Sequence, residues 1–411
     1  MKNNQWAKAE RLDGADRIMG IYCDCNSRGG VWSYTLRTLH MFKRWGWRTT
    51  LFSHHARNET QQEILNALMA AADETLLIDE SQSDDRQIRV LQRALLGKHI
   101  TLFIPNYKKF TYAAAALVTR KQNLAIVGVC HADHVSYYEV LRRYQDIISV
   151  FVCASRKTTK ELNGYLSERN KDKNRHIPHY IQFDVDGRAD FSEAPFTVIY
   201  HGRVREEQKR CSEILRVAQL ACRENPNIRF VLMGDGGESE YYNALIANLN
   251  LADHVTIQPS SPWLEVQASL LDSQLAILTS EFEGFCYGVA EAMVAGLPVA
   301  AYNCGDVISD FVIDGKTGRL ADWGNAAGLA EWIVALSKDR DAWSGYSDAA
   351  RELATTSFGI DRVSELYADA LFGVHNTTRA WPLTRPAFIP VKGKSFRSFL
   401  ERVGTRLGAW G

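Results

Sequence analysis

The sequence predicts an α/β protein built from two doubly wound, parallel-sheet domains that face each other. Two observations carry this. Short apolar, β-branched runs alternate with helical stretches along most of the chain, and the alternation breaks once, in a polar stretch, before restarting. The 411 residues leave room for about two or three domains of roughly 150 residues each. A hydrophobic fraction of 46% and a charged fraction of 23% are those of an ordinary globular chain, so two sizeable cores can form.

In the first half the predicted strands are RIMGIYC (17–23), RTTLFS (48–53), ITLFIP (100–105), LAIVGVC (124–130) and ISVFVCA (148–154). Each is a largely continuous apolar run, as expected of strands covered on both faces. Helical stretches such as WSYTLRTLHMFKRWG (32–46) and QQEILNALMAAA (61–72) lie between them. The stretch 171–195 is polar, carries Pro178 and Pro195 and shows little periodicity, so it reads as an interdomain linker. The strands then resume as FTVIYHG (196–202), IRFVLMG (228–234), HVTIQ (254–258), LAILTS (275–280) and LPVAAYN (297–303). The expected division is therefore a domain over 1–180, a linker over 181–195, a second domain over 196–358 and C-terminal helices with a basic tail over 359–411.

Composition excludes some classes of function. Lys plus Arg equals Asp plus Glu at 48 each, which gives no long-range field for nucleic acid. The eight cysteines mostly sit in apolar runs without a disulfide-framework spacing, which predicts reduced, buried thiols. The first residues, MKNNQWAKAERLDGADR, contain no apolar signal-peptide core, and no apolar segment approaches the ~20 residues of a membrane span. The expectation is a cytoplasmic protein.

Ligands of open parallel sheets bind beyond the carboxyl ends of the strands, so the residues just past each strand are the informative ones. After the first strand, Gly29-Gly30 open a helix where bare backbone N–H groups can meet an anion or a hydroxyl. A plain strand-to-helix turn explains them equally well, and the dinucleotide-binding fingerprint G-x-G-x-x-G is absent. Asn106-Tyr107 follow the third predicted strand, and His131-Ala132-Asp133-His134 the fourth. Neither His131 with His134 and Asp133 nor Cys23 with Cys25 makes a complete metal-ligand set, so no metal is expected.

The second half carries more chemistry. In HGRVREEQKR (201–210), Arg203 and Lys209 are spaced to reach one site, where a guanidinium and an ammonium would clamp a diphosphate. A solvated loop of mixed charge is the competing explanation. GDGGESEYYNAL (234–245) offers glycines at another strand-to-helix turn, near a nucleobase or simply as a turn. In EFEGFCYGVAEAMVAGLP (281–298), Glu283 lies in a glycine-bearing loop and Glu291 is expected in the first turn of a buried helix ended by Gly296. Such carboxylates accept hydrogen bonds from sugar diols; the simpler alternative for Glu291 is a capping carboxylate favoured by the helix dipole.

Taken together, Gly29-Gly30, His131, SRKTTKEL (155–162), IPHYI (177–181), GRVREEQKR (202–210) and SEFEGFCYGVAEAMVAGLPVAAYNCGDVISDFVIDGKTGRL (280–320) resemble the GT-B-fold, retaining, nucleotide-sugar-dependent glycosyltransferases known as glycosyl transferases group 1. The resemblance implies two Rossmann-like domains facing a central cleft, and transfer of a sugar from a nucleotide diphosphate sugar to an acceptor hydroxyl with retention. It implies Arg203 and Lys209 on the diphosphate, Glu291 on the ribose, Glu283 on the donor sugar and His131 near that sugar. Gly30 and the backbone of Gly284, Phe285, Cys286 and Tyr287 would line the donor, and Asn106, Tyr107 and Asp133 are the acceptor-side candidates. The donor would carry UDP or GDP, with no permanently bound cofactor and no metal, and the acceptor would be a carbohydrate or a lipid-linked glycan of cell-surface polysaccharide or lipopolysaccharide assembly. The chain departs from the family pattern in one extra residue between Arg203 and Lys209, in Cys286-Tyr287 after the Gly-Phe pair, and in Pro178-His179-Tyr180 where many members have Asn-Gly.

Three alternatives share the architecture: a non-catalytic GT-B-like subunit, a nucleotide-sugar epimerase and a phosphorylase. The first would be expected to lose part of the Arg203, Lys209, Glu283 and Glu291 set, and the last normally needs a lysine for pyridoxal phosphate that nothing here identifies. The basic tail, with Phe396, Phe399, Leu400, Val403, Leu407 and Trp410 at near-helical spacing, reads either as a helix packed on the protein or as an interfacial helix touching the inner face of the plasma membrane.

Overall fold

The computed structural model describes residues 17–27, 29–184 and 186–377, with side chains through Leu371. The chain divides into two compact units. Of the described residues, the first holds those within 17–154, 159–177 and 364–377; the second holds those within 155–158 and 178–363.

The first unit is built on a seven-stranded sheet of β1 (Ile18–Tyr22), β2 (Arg48–His54), β3 (Glu74–Ile78), β4 (Leu102–Ile104), β5 (Ala125–Cys130), β6 (Val150–Cys153) and β7 (Asn174–His176). Its spatial order is β3-β2-β1-β4-β5-β6-β7, and every pairing is parallel. Gly20 of β1 sits between Thr50 on one side and Phe103 on the other, which fixes the register at the sheet centre. Tyr22, Phe52, Phe103, Tyr112 and Phe151 anchor the core with the aliphatic residues around them. The last described helix, Ile360–Thr377, belongs to this unit from Ser364 onward, and Tyr367 meets Tyr34 hydroxyl to hydroxyl at 2.9 Å in a buried position. The remainder of the tail lies outside the described residues.

The second unit repeats the plan in six strands: β8 (Phe196–His201), β9 (Ile228–Met233), β10 (Val255–Gln258), β11 (Leu275–Leu278), β12 (Val299–Tyr302) and β13 (Gly318–Ala321). The order is β10-β9-β8-β11-β12-β13, again all parallel. Both sheets therefore start from their central strand, step outward to one edge, and jump back to fill the other side. The helix Cys211–Glu224 shows how the sequence dictates this packing. Ile214, Leu215, Val217, Ala218, Ala221 and Cys222 recur at helical spacing and are the buried face, while Glu206 caps its start by accepting from Ser212 N (3.1 Å) and Ser212 Oγ (2.7 Å).

Three strands were not visible in the sequence pattern: β3, β7 and β13. All three are sheet edges. An edge strand is covered less completely, so it needs no continuous apolar run; β3 is half-buried along most of its length, and β7 reads only Asn-Arg-His. The polar stretch read as linker from residue 171 thus begins with a strand of the first unit's sheet. Beyond it, Pro178, His179, Tyr180 and Ile181 are buried in the second unit, where Ile181 N donates to Phe358 O at 2.9 Å and Ala189 N to Ala295 O at 2.8 Å.

Among the described residues no helix is long and apolar enough to cross a membrane.

Candidate functional site

In the second unit the strand order reverses between β8 and β11, so the chain leaves these two neighbours in opposite directions and their following loops open a crevice. The first loop runs from His201 through Arg203 to a single helical turn, Glu206–Lys209. Arg210 follows in the left-handed region at φ 49°, which turns the chain into the helix Cys211–Glu224. The second loop runs from Thr279 to Cys286 and enters the helix Tyr287–Ala295, which Gly296 ends at φ 92°.

The two loops are laced together by hydrogen bonds. Thr279 Oγ1 donates to the carbonyls of Lys209 (3.1 Å) and Arg210 (3.0 Å). Glu281 N donates to Gln208 O at 2.9 Å, and Gln208 Nε2 returns a bond of 2.9 Å to Phe282 O. The other end of the same amide, Gln208 Oε1, accepts from Arg203 Nη2 at 2.9 Å. Arg203 is otherwise exposed, so Gln208 is what directs its guanidinium.

Lys209 and Glu283 come together across the crevice. Lys209 Nζ lies 2.5 Å from Glu283 Oε1, with side chains only 15% and 6% exposed. Glu291 is equally buried, and its Oε2 lies 3.2 Å from His201 Nδ1. The expectation that Glu291 falls in the first helical turn is corrected: the helix begins at Tyr287, no acidic residue occupies its first turn, and Glu291 stands one full turn in. A residue there faces no orphan N–H group, so the capping explanation for Glu291 falls away.

The loop itself is held by aromatic packing. Phe285 points into the core, 5.1 Å from the Phe311 ring and 5.5 Å from Phe358, so only its backbone borders the crevice. Tyr287 stacks on His179 with ring centroids 5.4 Å apart and planes 15° apart, and His179 also meets Phe285 at 4.9 Å. Cys286 is buried, and burial with Glu283 nearby holds its thiol well above the ordinary range, which makes it a packing thiol. Gly284 is likewise buried. Gly288 is required by a close approach: a Cβ there would lie 2.2 Å from His201 O. The helix start therefore presses directly on the end of β8. At Gly234, φ is 148° and a Cβ would lie 1.8 Å from Gly202 O, so the glycine-rich loop after β9 packs against the loop after β8 in the same way.

The first unit carries its own strand-end cluster, after β1, β4 and β5. Asn106 is buried at φ 55°; its Nδ2 donates to Tyr22 O and lies 3.3 Å from Thr35 Oγ1. Its Oδ1 then faces His131 Nε2 at 2.9 Å. Burial pushes the His131 imidazole down to about 3, so it is neutral, and the Asn106 carbonyl oxygen places its proton on Nε2. Tyr107 donates its hydroxyl to Asp24, which Lys108 Nζ also meets at 3.1 Å. Asp133 instead accepts at 2.6 Å from Tyr138 Oη of the following helix, Val135–Arg143, and Gly30 opens the helix Gly30–Arg44 as an exposed residue. Thus His131 joins Asn106, and the Tyr137 ring meets both His131 (6.1 Å) and Tyr107 (6.3 Å).

Sequence reasoning passed over His201, Gln208, Asp24 and Lys108. His201 ends β8, so its place at a strand end is the signal that marks it. Gln208 has no local signal, because its role exists only once two loops are neighbours. Among the described residues no three His, Cys, Asp or Glu side chains form a metal-holding group.

Residues 185–353, which contain the whole β8–β11 site, match the protein family described as glycosyl transferases group 1. The match covers less than half of the chain. The chain is similar to the poly(ribitol-phosphate) alpha-N-acetylglucosaminyltransferase of Staphylococcus aureus, at 26% identity over 260 residues, 60% of this chain and 50% of that protein. It spans about half the length, or less, of the curated relatives it matches. Among solved structures it resembles a variant of S. aureus TarM in complex with fondaparinux, alpha-GlcNAc-glycerol and UDP, at a TM-score of 0.72 and 13% identity, covering 86% of this chain and 99% of that one. It also resembles Anabaena HepE in complex with UDP and glucose, at a TM-score of 0.71 and 16% identity, covering 87% and 100%. These similarities establish the fold: each unit is a Rossmann-like parallel-sheet domain of the GT-B kind.

Proposed function

We propose that the protein is a retaining glycosyltransferase that moves a sugar from a UDP-sugar to an acceptor hydroxyl in cell-surface glycan assembly. The observation that carries this reading is the pairing of Lys209 with Glu283 beside Glu291 at the β8/β11 reversal, within the segment that matches glycosyl transferases group 1. UDP is favoured because both structures described above hold it.

In this reading Arg203 and Lys209 bind the diphosphate, Glu291 accepts from the ribose 2′- and 3′-hydroxyls, and Glu283 accepts from hydroxyls of the donor sugar. The acceptor oxygen attacks the anomeric carbon on the face from which the diphosphate leaves. As the carbon–oxygen bond to the diphosphate breaks, the departing phosphate oxygen takes the acceptor proton, and the two cations stabilise the growing negative charge. Lys209 is already held in a low-dielectric setting, so this stabilisation needs little reorganisation. The clamp performs the charge neutralisation that a metal ion would otherwise supply. In the first unit, His131, neutral and held by Asn106, offers a hydrogen-bonding rather than a cationic group, and Asn106, Tyr107 and Asp133 are the acceptor-side candidates.

Calorimetric titration with UDP, GDP, ADP and dTDP, followed by transfer assays with the matching sugars, tests the proposal. UDP binding that is lost in Glu291→Ala, and acceptor-dependent sugar transfer that is lost in Lys209→Ala, are the expected results. Nucleotide binding without transfer to any acceptor would favour a non-catalytic subunit, and conversion of the sugar without acceptor would identify an epimerase.

A further inference from the structure

We infer that His201 is a positioning residue, whose Nδ1–H holds the Glu291 carboxylate in the orientation that receives a ribose diol. The inference rests on the nucleotide-sugar reading of the site and adds a residue to it. His201 is the last residue of β8, and the would-be clash at Gly288 shows that the following helix is pressed against its carbonyl. Glu291 lies one turn along that helix, so the strand end and the carboxylate are held face to face. His201 Nδ1 is buried and stands 3.2 Å from Glu291 Oε2, at bonding distance but without aligned hydrogen-bond geometry. The Trp263 ring, 6.4 Å from the imidazole and tilted 35° to it, borders the other side. A modest rotation of the ring completes the bond.

The chemistry follows from counting lone pairs. A carboxylate offers about four acceptor directions on two oxygens. One bond from His201 to Oε2 consumes one of them and stops the carboxylate rotating. The inference assigns two of the other acceptor directions to hydroxyls spaced as in a cis-diol. Both the neutral Nδ1–H tautomer and the imidazolium can make this bond, so the device does not depend on a particular charge state. Each bond that fixes the carboxylate in advance lessens the ordering that the ligand must supply, and with it the cost in affinity.

The test is calorimetric titration of the full chain with UDP and with 2′,3′-dideoxy-UDP, which lacks the diol. His201→Ala is expected to weaken UDP about tenfold while leaving dideoxy-UDP within about twofold, because the imidazole acts only through the diol contact. His201→Asn should recover most of the loss, since the asparagine Nδ2 can stand where Nδ1 stood and donate in its place. Equal weakening of both nucleotides would show a merely structural residue and overturn the inference. So would unchanged UDP affinity in His201→Ala alongside a loss in Glu291→Gln, with the ribose reading left intact. Unchanged UDP affinity in Glu291→Gln itself would overturn the ribose reading and the inference together.

Discussion

Breaking the Lys209–Glu283 pair should separate what that pair does for the fold from what it does for the chemistry. The two charged atoms are 2.5 Å apart. At an effective dielectric of about 20, their gross attraction is roughly 6–7 kcal/mol, against a desolvation cost of several kcal/mol per ion. Removing one partner leaves the other buried and unpaired, which costs roughly 3–5 kcal/mol when burial is complete. The pair is asymmetric, however: Glu283 is 6% exposed and Lys209 is 15% exposed. Lys209→Met strands the deeper charge and should cost about 3 kcal/mol, whereas Glu283→Leu leaves a long lysine that can turn toward water and should cost about 1–2 kcal/mol. For a unit of this size, about 3 kcal/mol reads as a Tm lower by about 6–12 °C. The double variant, with two apolar side chains of similar length facing each other, should recover most of the summed loss, for a coupling of about 3 kcal/mol. Donor-dependent transfer should stay on the order of 10²–10³ lower in all three, because no packing restores a cation at the leaving group. Thermal unfolding followed by calorimetry, run beside transfer assays, gives both readouts. Additive stability losses, with coupling under about 0.5 kcal/mol, would refute the buried-pair argument. Transfer that returned with stability would refute the catalytic one.

Four further outcomes can be checked. The folded His131 pKa of about 3 lies below the ordinary imidazole value, so on acidification the unfolded chain takes up a proton that the folded one refuses. His131 therefore lowers stability by about 1–2 kcal/mol between pH 7 and pH 5. His131→Asn should flatten the pH dependence by that amount, and an identical slope in variant and parent would contradict it. Gly288→Ala forces a methyl to 2.2 Å from His201 O and should cost at least about 2 kcal/mol and UDP binding with it. In contrast, Gly345→Ala, inside the helix Arg340–Phe358 with nothing within 4 Å of its would-be Cβ, should stabilise by about 0.5–1 kcal/mol. Tyr367→Phe removes the buried hydroxyl contact with Tyr34 and should cost about 1 kcal/mol by chemical denaturation; no change would show that the C-terminal helix is held by apolar packing alone.

The parts of this fold that could be read in advance are those whose burial is complete. The central strands β1, β2, β4, β5 and β6, and β8, β9, β11 and β12 in the second unit, are continuous apolar runs because both faces are covered, and such runs are visible one residue at a time. The edges β3, β7 and β13 were missed because half-covered strands tolerate polar residues, so the pattern fades where the neighbours end. Arg203 and Lys209 lie in a loop of mixed charge and stood out by their spacing and the family resemblance, whereas Glu283 and Glu291 were legible for a reason related to burial. Charge in an otherwise apolar or glycine-rich setting is costly, so its presence stands out even without a structure.

By itself, then, the sequence determined that there are two Rossmann-like sheets and where their central strands run, and it singled out the residues that are candidates for the chemistry. Local composition suffices for these, because each is a property of a short segment. Only the tertiary structure decided which of those residues are partners: that Lys209 closes on Glu283, that Gln208 directs Arg203, and that Glu291 stands a full turn inside its helix facing His201. Gln208 and Arg203 share one loop, and Gln208 is tied across the crevice to Phe282 O; the other two pairs join segments 74 and 90 residues apart, brought together by the reversal of strand order between β8 and β11. A pairing of that kind is a property of two neighbouring strand ends, and neither segment contains it alone.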